Sequence, residues 1–189
     1  MPRALAVVGA GPAGLLAALA AQKAGLKVAV FEKNPSLGKL EGGVILHSNG
    51  LRALETVGLL KTFGREMRFG ALTHIETPDG ALLHKMDFGE LPVPHNYFGA
   101  MLRQELQELL LAEATLARIA VHFNHSVSDV PVVNGSMVLR FENGSDFPAD
   151  AVIAADGVHS RLRQRLGVAF KIRPAGEATL RGVVFTGVS

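Results

Sequence analysis

A short apolar run from Leu5 to Val8 breaks into Gly9-Ala10-Gly11-Pro12-Ala13-Gly14, and an Ala- and Leu-rich stretch to Ala24 follows, stopped by Gly25. Strand, spaced glycines and helix in that order leave few alternatives to a βαβ unit whose first turn faces a dinucleotide. Each glycine has its own task in such a turn. Gly9 permits the tight bend, Gly11 lets backbone approach a pyrophosphate, and Gly14 lets the helix pack closely on the strand. The helix N-terminus then offers unpaired N–H groups and a partial positive charge to the phosphates. Lys27 to Phe31 is apolar and β-branched and reads as the second strand. At its end stands Glu32, 18 residues after Gly14, with Lys33 beside it. An acid there accepts hydrogen bonds from ribose hydroxyls and disfavours a 2′-phosphate. NAD and FAD both use this fingerprint, so these residues alone do not choose between them.

The remaining chain alternates between the same layer and an excursion. Gly38 to Gly43 is glycine-rich and irregular, and Leu51, Leu54, Val57 and Leu60 give the stretch Asn49 to Leu60 the spacing of one helical face, with Asn49 as N-cap. Leu72–Thr77 and Ala81–Asp87 flank Pro78-Asp79-Gly80, a turn signal between two strands. Ala100 to Ala117 has Leu102, Leu106, Leu109, Leu110 and Leu116 separated by polar residues and reads as one amphipathic helix. Ile119–Phe123, Ser126–Val133 and Met137–Glu142 read as strands, the last two joined around Asn134-Gly135 as a small antiparallel crossover. Ala151–Ala155 reads as a buried parallel strand ending at Asp156-Gly157, before a helix from about Ser160 to Leu166. The fold class expected is α/β: a parallel Rossmann sheet of the FAD type with a β-crossover, plus part of a β-rich substrate layer. Leu5–Val8, Lys27–Phe31 and Ala151–Ala155 should lie parallel in it.

Composition removes several chemistries. The chain has no cysteine, so thiolate nucleophiles, iron–sulfur clusters and cysteine zinc sites are excluded, and a reducing cytoplasm is the expected location. Its 19 basic and 17 acidic residues nearly balance, and with no Trp and one Tyr there is no stacking platform for nucleic acid. Arg161, Arg163 and Arg165, spaced by two, do not share a helical face. The apolar stretch Leu15 to Ala21 is too short for a membrane span, and the N-terminal run reads as strand, turn and helix rather than a leader. His122 and His125 have metal-like spacing but no third ligand nearby, so no metal is expected. His47-Ser48 and His159 receive no catalytic role.

Beyond the glycine turn and Glu32, three segments resemble the para-hydroxybenzoate hydroxylase family, the class A flavoprotein monooxygenases. Gly43-Val44-Ile45-Leu46-His47-Ser48-Asn49-Gly50-Leu51-Arg52-Ala53-Leu54 is similar to that family's loop and helix beside the flavin. Met101-Leu102-Arg103-Gln104-Glu105-Leu106 is similar to the helix start whose arginine contacts the cofactor. Ala154-Ala155-Asp156-Gly157-Val158-His159-Ser160-Arg161-Leu162-Arg163 is similar to the Asp-Gly motif implicated in FAD and NAD(P)H binding, though Asp156 also suits a helix cap. The resemblance implies a cofactor-binding set of Gly9, Ala10, Gly11, Pro12, Ala13, Gly14, Glu32, Lys33, Gly43, Val44, Arg103, Val127, Asp156 and Gly157. It implies FAD as cofactor and NAD(P)H as co-substrate in an O₂-dependent hydroxylation of an aromatic or related small organic molecule.

The resemblance departs from the family pattern in two places. His47-Ser48-Asn49 stands where the family often has a proline before the asparagine, and neither the later Gly-Asp motif nor the further substrate-domain sheet is present. The expected organisation is 1–70 as the first FAD-binding part, 71–99 as a partial substrate-domain hairpin, 100–169 as the second FAD-binding part and 170–189 as the start of a substrate-domain sheet. Leu180 to Ser189 reads as a strand. This chain alone is expected to be an inactive N-terminal fragment that seeks a homo-oligomer or a complementing chain. The competing readings are an NAD-linked dehydrogenase and a non-enzymatic nucleotide- or partner-binding module.

Overall fold

A computed structural model describes residues 4–38, 42–168, 170, 171, 173 and 176. In chain order the elements are β1 (Ala4–Val8), α1 (Pro12–Lys23), β2 (Lys27–Phe31), β3 (Gly43–Leu46), α2 (Ser48–Val57), α3 (Leu60–Phe63), β4 (Arg68–Gly70), β5 (Leu72–Glu76) and β6 (Leu82–Asp87). There follow β7 (Phe98–Leu102), α4 (Arg103–Leu116), β8 (Ala120–His122), β9 (Val127–Asp129), β10 (Val132–Val133), β11 (Ser136–Phe141), β12 (Asp146–Ala149), β13 (Ala151–Ala154) and α5 (Arg161–Arg165). Backbone contacts divide them into two compact units, residues 42–106 forming one and the segments before and after it the other.

The first unit is built on a parallel sheet of order β13-β1-β2-β8. Leu5 pairs with Ala151 and with Val28, and Ala29 with Ala120, so the three strands expected to run parallel do so. The β-branched and apolar residues of β1 and β2 explain why these two strands are central. Val7 and Val30 are wholly buried and Phe31 nearly so, as the middle of a two-faced sheet requires. Ala18 and Leu15 of α1 close over them, and Gly25 ends that helix in the left-handed region (φ 84°). On the other face lies an antiparallel layer in which β11 pairs with β10 and β9 along one edge and with β12 along the other. Val127, Leu139, Phe141 and Ala149 of that layer pack with Ala6, Val8, Ala29 and Phe31 in one core.

The second unit holds the antiparallel sheet β3-β7-β4 and the separate hairpin β5-β6. Its core is made by Leu51 and Leu54 of α2 with Phe63, Met67 and Met101. The hairpin is tied at Pro78-Asp79-Gly80, where Gly80 adopts φ 88°, and every residue of β5 is exposed.

Several local expectations are corrected. The stretch Ala100 to Leu102 is strand, not helix: it pairs with β3 on one side and β4 on the other, and these bonds override the helical preference of Ala, Met and Leu. The segment after Gly42 is likewise strand rather than loop, because Gly43 to Leu46 finds β7 as its partner. Asn49 is not the N-cap of α2; His47 holds that position, and the Asn49 carboxamide oxygen accepts from the Gly50 N–H at 2.9 Å. The single strand expected over Ser126–Val133 is interrupted at Val130-Pro131, where proline cannot donate to the ladder. Strand β13 lies at a sheet edge, with Ala151 and Ala154 exposed, rather than buried. The strand expected over Leu180 to Ser189 lies outside the described residues.

Candidate functional site

The glycine turn sits between the end of β1 and α1, at the carboxyl end of the parallel sheet. Gly9 has φ 108°, and a Cβ there would overlap the Ala155 carbonyl oxygen. A Cβ on Gly14 would overlap the Gly9 carbonyl oxygen and meet the Ala155 side chain at 3.2 Å. Both glycines are therefore required by the protein's own packing. Gly11 is different: its backbone is ordinary (φ −69°, ψ 171°), and nothing among the described residues lies within 4 Å of the place its Cβ would occupy. No internal contact calls for glycine at that position. A cradle that a side chain would fill is what a closely approaching pyrophosphate needs, so the turn fits a dinucleotide.

The helix behind the turn is prepared for an anion. Gly11 caps α1 without a side-chain bond, Pro12 opens it and its first turn has no acidic residue. Neither the cap nor the first turn of α1 thus supplies a negative group to the positive end of the helix dipole. Ala13 follows Pro12 in that first turn.

Glu32 plays a part beyond the one expected of it. One carboxylate oxygen accepts from the Ala10 N–H at 2.9 Å, and the other accepts from the Asn34 N–H at 3.0 Å and its carboxamide at 2.8 Å. The acid locks the turn, while one acceptor site remains, on the Oε2 that takes the Ala10 N–H, for a hydroxyl donor. Lys33, next to it, is exposed. Asp156 follows β13, where its Oδ2 accepts from the Leu162 N–H at 3.2 Å. The formal N-cap of α5 is Ser160, whose hydroxyl accepts from the Arg163 N–H at 3.0 Å, so the capping role expected of Asp156 is shared. Asp156 Oδ1 is buried and has no hydrogen-bond partner among the described residues. Such an oxygen is costly unless a donor is supplied from outside the chain. Gly157 takes φ 86° with open space around it. Val127 is buried in the core, and it lines a groove of about 370 Å³ with Ser128, Glu142, Arg161, Gln164 and Arg165.

The second unit brings the other three expected residues together. Gly43 pairs with Leu102 and Val44 with Met101, and the Arg103 N–H donates to the Gly42 carbonyl at 3.1 Å. Glu105 reaches back to accept from the Leu102 N–H at 3.2 Å, half of a capping box that starts α4 at Arg103. A cation at a helix N-terminus opposes the dipole, so the exposed Arg103 side chain adds nothing to helix stability through it.

One residue of the turn's support escaped sequence reasoning. Gln107 of α4 is buried, and its amide donates to the Ala10 carbonyl at 2.9 Å. The signal available was positional: Gln107 lies on the stripe of Leu110 and Ala114, three and seven residues on, which is buried. His122 lies flat against Phe31, with ring centroids 5.1 Å apart, and His125 Nδ1 is 2.6 Å from the Phe123 carbonyl oxygen. Burial, and then the neighbouring His125, hold the His122 imidazole below the usual histidine range. Among the described residues no group of three metal-ligating side chains forms.

Comparison with known proteins gives a consistent result. The chain is 33% identical over 185 residues to 3-amino-4-hydroxybenzoate 2-monooxygenase of Streptomyces cremeus, covering 95% of this chain and 46% of that protein. It is 29% identical over 167 residues to 6-hydroxynicotinate 3-monooxygenase of Bordetella bronchiseptica, covering 86% and 43%. Among solved structures, a tetrameric form of 2-methyl-3-hydroxypyridine-5-carboxylic acid oxygenase superposes with a TM-score of 0.76 at 28% identity, over 88% of this chain and 42% of the other. The p-nitrophenol 4-monooxygenase of Pseudomonas putida shares the fold, with a TM-score of 0.79 at 24% identity over 90% and 45%. The chain thus spans a little under half the length of these relatives. Residues 3–188 match the family described as FAD binding domain, which decides the choice between FAD and NAD, and the chain belongs to that family.

Proposed function

We propose that Gly9, Ala10, Gly11, Pro12, Ala13, Gly14, Glu32 and Lys33 hold the adenosine and pyrophosphate of FAD. In this reading Val127, Asp156 and Gly157 add contacts to the cofactor, and Gly43, Val44 and Arg103 are cofactor-binding residues as well. The observation that carries it is Gly11, a glycine whose conformation and surroundings give the protein itself no use for one. The whole protein acts as an NAD(P)H- and O₂-dependent monooxygenase on an aromatic or related small organic substrate, in the cytoplasm. Its relatives support this through the aromatic and heteroaromatic substrates in their names.

Bound FAD supplies the redox chemistry. The chain's part is binding and orientation. The backbone N–H groups of the turn and the first turn of α1 meet the phosphates, Glu32 accepts from ribose hydroxyls, and Arg103 offers a planar, permanently charged donor. Residues 1–70 and 100–169 serve the cofactor in this reading, and 71–99 with 170–189 belong to a substrate-side layer. The 189-residue chain alone holds FAD weakly or not at all and is inactive, and tight binding and activity come with a homo-oligomeric or complementing partner.

The test is NAD(P)H oxidation by the whole protein, stimulated by an aromatic compound and coupled to a hydroxylated product, beside visible absorption of bound flavin. A colourless protein with no such oxidation removes the assignment.

A further inference from the structure

The Ala10–Gly11 peptide is held from inside by a single side chain. Gln107, 7% exposed, meets the Ala10 carbonyl oxygen at 2.9 Å across 97 positions of sequence. A carbonyl only accepts, so the contacting atom of Gln107 is its NH₂ group. The described residues contain no cis peptide. In a trans peptide the C=O and the following N–H point in opposite directions. With the Ala10 oxygen turned to Gln107, the Gly11 N–H is turned away from it. The peptide before it is fixed by the Glu32 carboxylate on the Ala10 N–H at 2.9 Å, so the turn cannot relieve a change at Gln107 by rotating as a whole.

We infer that Gln107 is a positioning residue: by holding the Ala10 carbonyl it aims the Gly11 N–H outward, as a donor to phosphate. This deepens the dinucleotide reading and rests on it. Without the amide donor the Ala10 oxygen is left buried and unpaired, and rotation of the peptide plane to satisfy it turns the Gly11 N–H inward. The side chain's value then lies in its donor, not its volume. A carboxylate of the same shape repels the Ala10 oxygen and attracts the Gly11 N–H, which favours the rotated plane outright. When protonated, the same carboxyl has an O–H to donate and can replace the amide.

The experiment titrates ADP and FAD into the 189-residue chain and its Gln107→Leu and Gln107→Glu variants across pH, following the Gly11 amide by NMR. In the unaltered chain the Gly11 amide resonance moves on adding ADP. Gln107→Leu weakens ADP binding by about tenfold, the worth of one mis-aimed charge-assisted hydrogen bond. Gln107→Glu weakens it further at high pH and recovers toward the unaltered chain as pH falls. A packing role gives the reverse order, with the isosteric Gln107→Glu closest to the unaltered chain at every pH, and that result overturns the inference. Should the variants fail to fold, a Gly11 amide unmoved by ADP in the unaltered chain overturns it alone. A chain that binds neither ADP nor FAD overturns the dinucleotide reading instead, which separates the two failures.

Discussion

The glycine turn of the first unit and the β5-β6 hairpin of the second are local pieces of chain held in opposite ways. In the turn, Ala10 is wholly buried and both its backbone groups are bonded by side chains from distant elements. In the hairpin, Leu82 is 56% exposed and Leu83 65%, and among the described residues the pair of strands has no third strand beside it. Two strands alone are marginal in water, whereas a turn clamped by a sheet and two helices is not. The difference teaches that the first unit carries its site as a finished piece of packing. The apolar side chains of the hairpin instead stand exposed among the described residues.

The largest expected effect attacks the clamped side of this contrast. Gly14→Val forces a side chain into the Gly9 carbonyl and the Ala155 methyl, and should cost about 3 kcal/mol in denaturant unfolding while abolishing FAD binding. If stability were unchanged, the turn would be as loosely held as the hairpin. Next comes Gly11→Ala, where binding and stability should part company. Flavin titration should show affinity lowered by about tenfold to a hundredfold, the value of one lost phosphate contact, with a melting temperature within about 2 °C. A melting temperature that fell with the affinity would mean that Gly11 serves the protein after all.

On the open side, Leu83→Lys should change unfolding free energy by no more than about 0.5 kcal/mol, because the side chain packs against little. Light scattering should report less self-association, since a charge on an exposed strand resists edge pairing. A large loss of stability would show that the hairpin is already covered. The smallest effect concerns His122 in the first unit. Its pKa is depressed, so the unfolded chain takes up the proton more readily than the folded one. That contribution is complete above about pH 6.5 and is lost as pH falls through the folded-state value. Thermal midpoints should therefore drop on acidification below this range, and His122→Phe, which keeps a ring on Phe31, should flatten the drop. An unchanged profile would place the acid sensitivity elsewhere.

What could be read in the sequence follows the same division. The β1-α1-β2 unit was legible because pattern, turn chemistry and packing agree there: Val7 and Val30 are both apolar in sequence and buried in space. The hairpin announced itself through Pro78-Asp79-Gly80. Strand β3 did not, since Gly42-Gly43 reads as a loop and only the distant β7 makes it a strand. Strand β12 went unread because Pro148 argues against a strand, yet at the edge of its sheet a proline is tolerated. Gln107 was hidden for a different reason. A glutamine within a leucine-rich amphipathic helix looks like a solvated position, and its partner lies 97 residues earlier.

Strand order also governs when the turn can come into being. The Ala4 N–H donates to Asp150 Oδ2 at 2.7 Å over 146 positions, and β1 lies between β2, made soon after it, and β13, made last of the sheet. The wall of the Gly9 turn is the Ala155 backbone, so a motif synthesised within the first fourteen residues has no wall until the ribosome has released more than ten times that length. Contacts of such separation close slowly, and during that interval the apolar edge of β1 is open to other chains. Maturation of the flavin site is in this sense a late event written at the beginning of the chain. The rate at which a nascent polypeptide acquires flavin should follow the docking of β13 rather than the formation of the first βαβ unit.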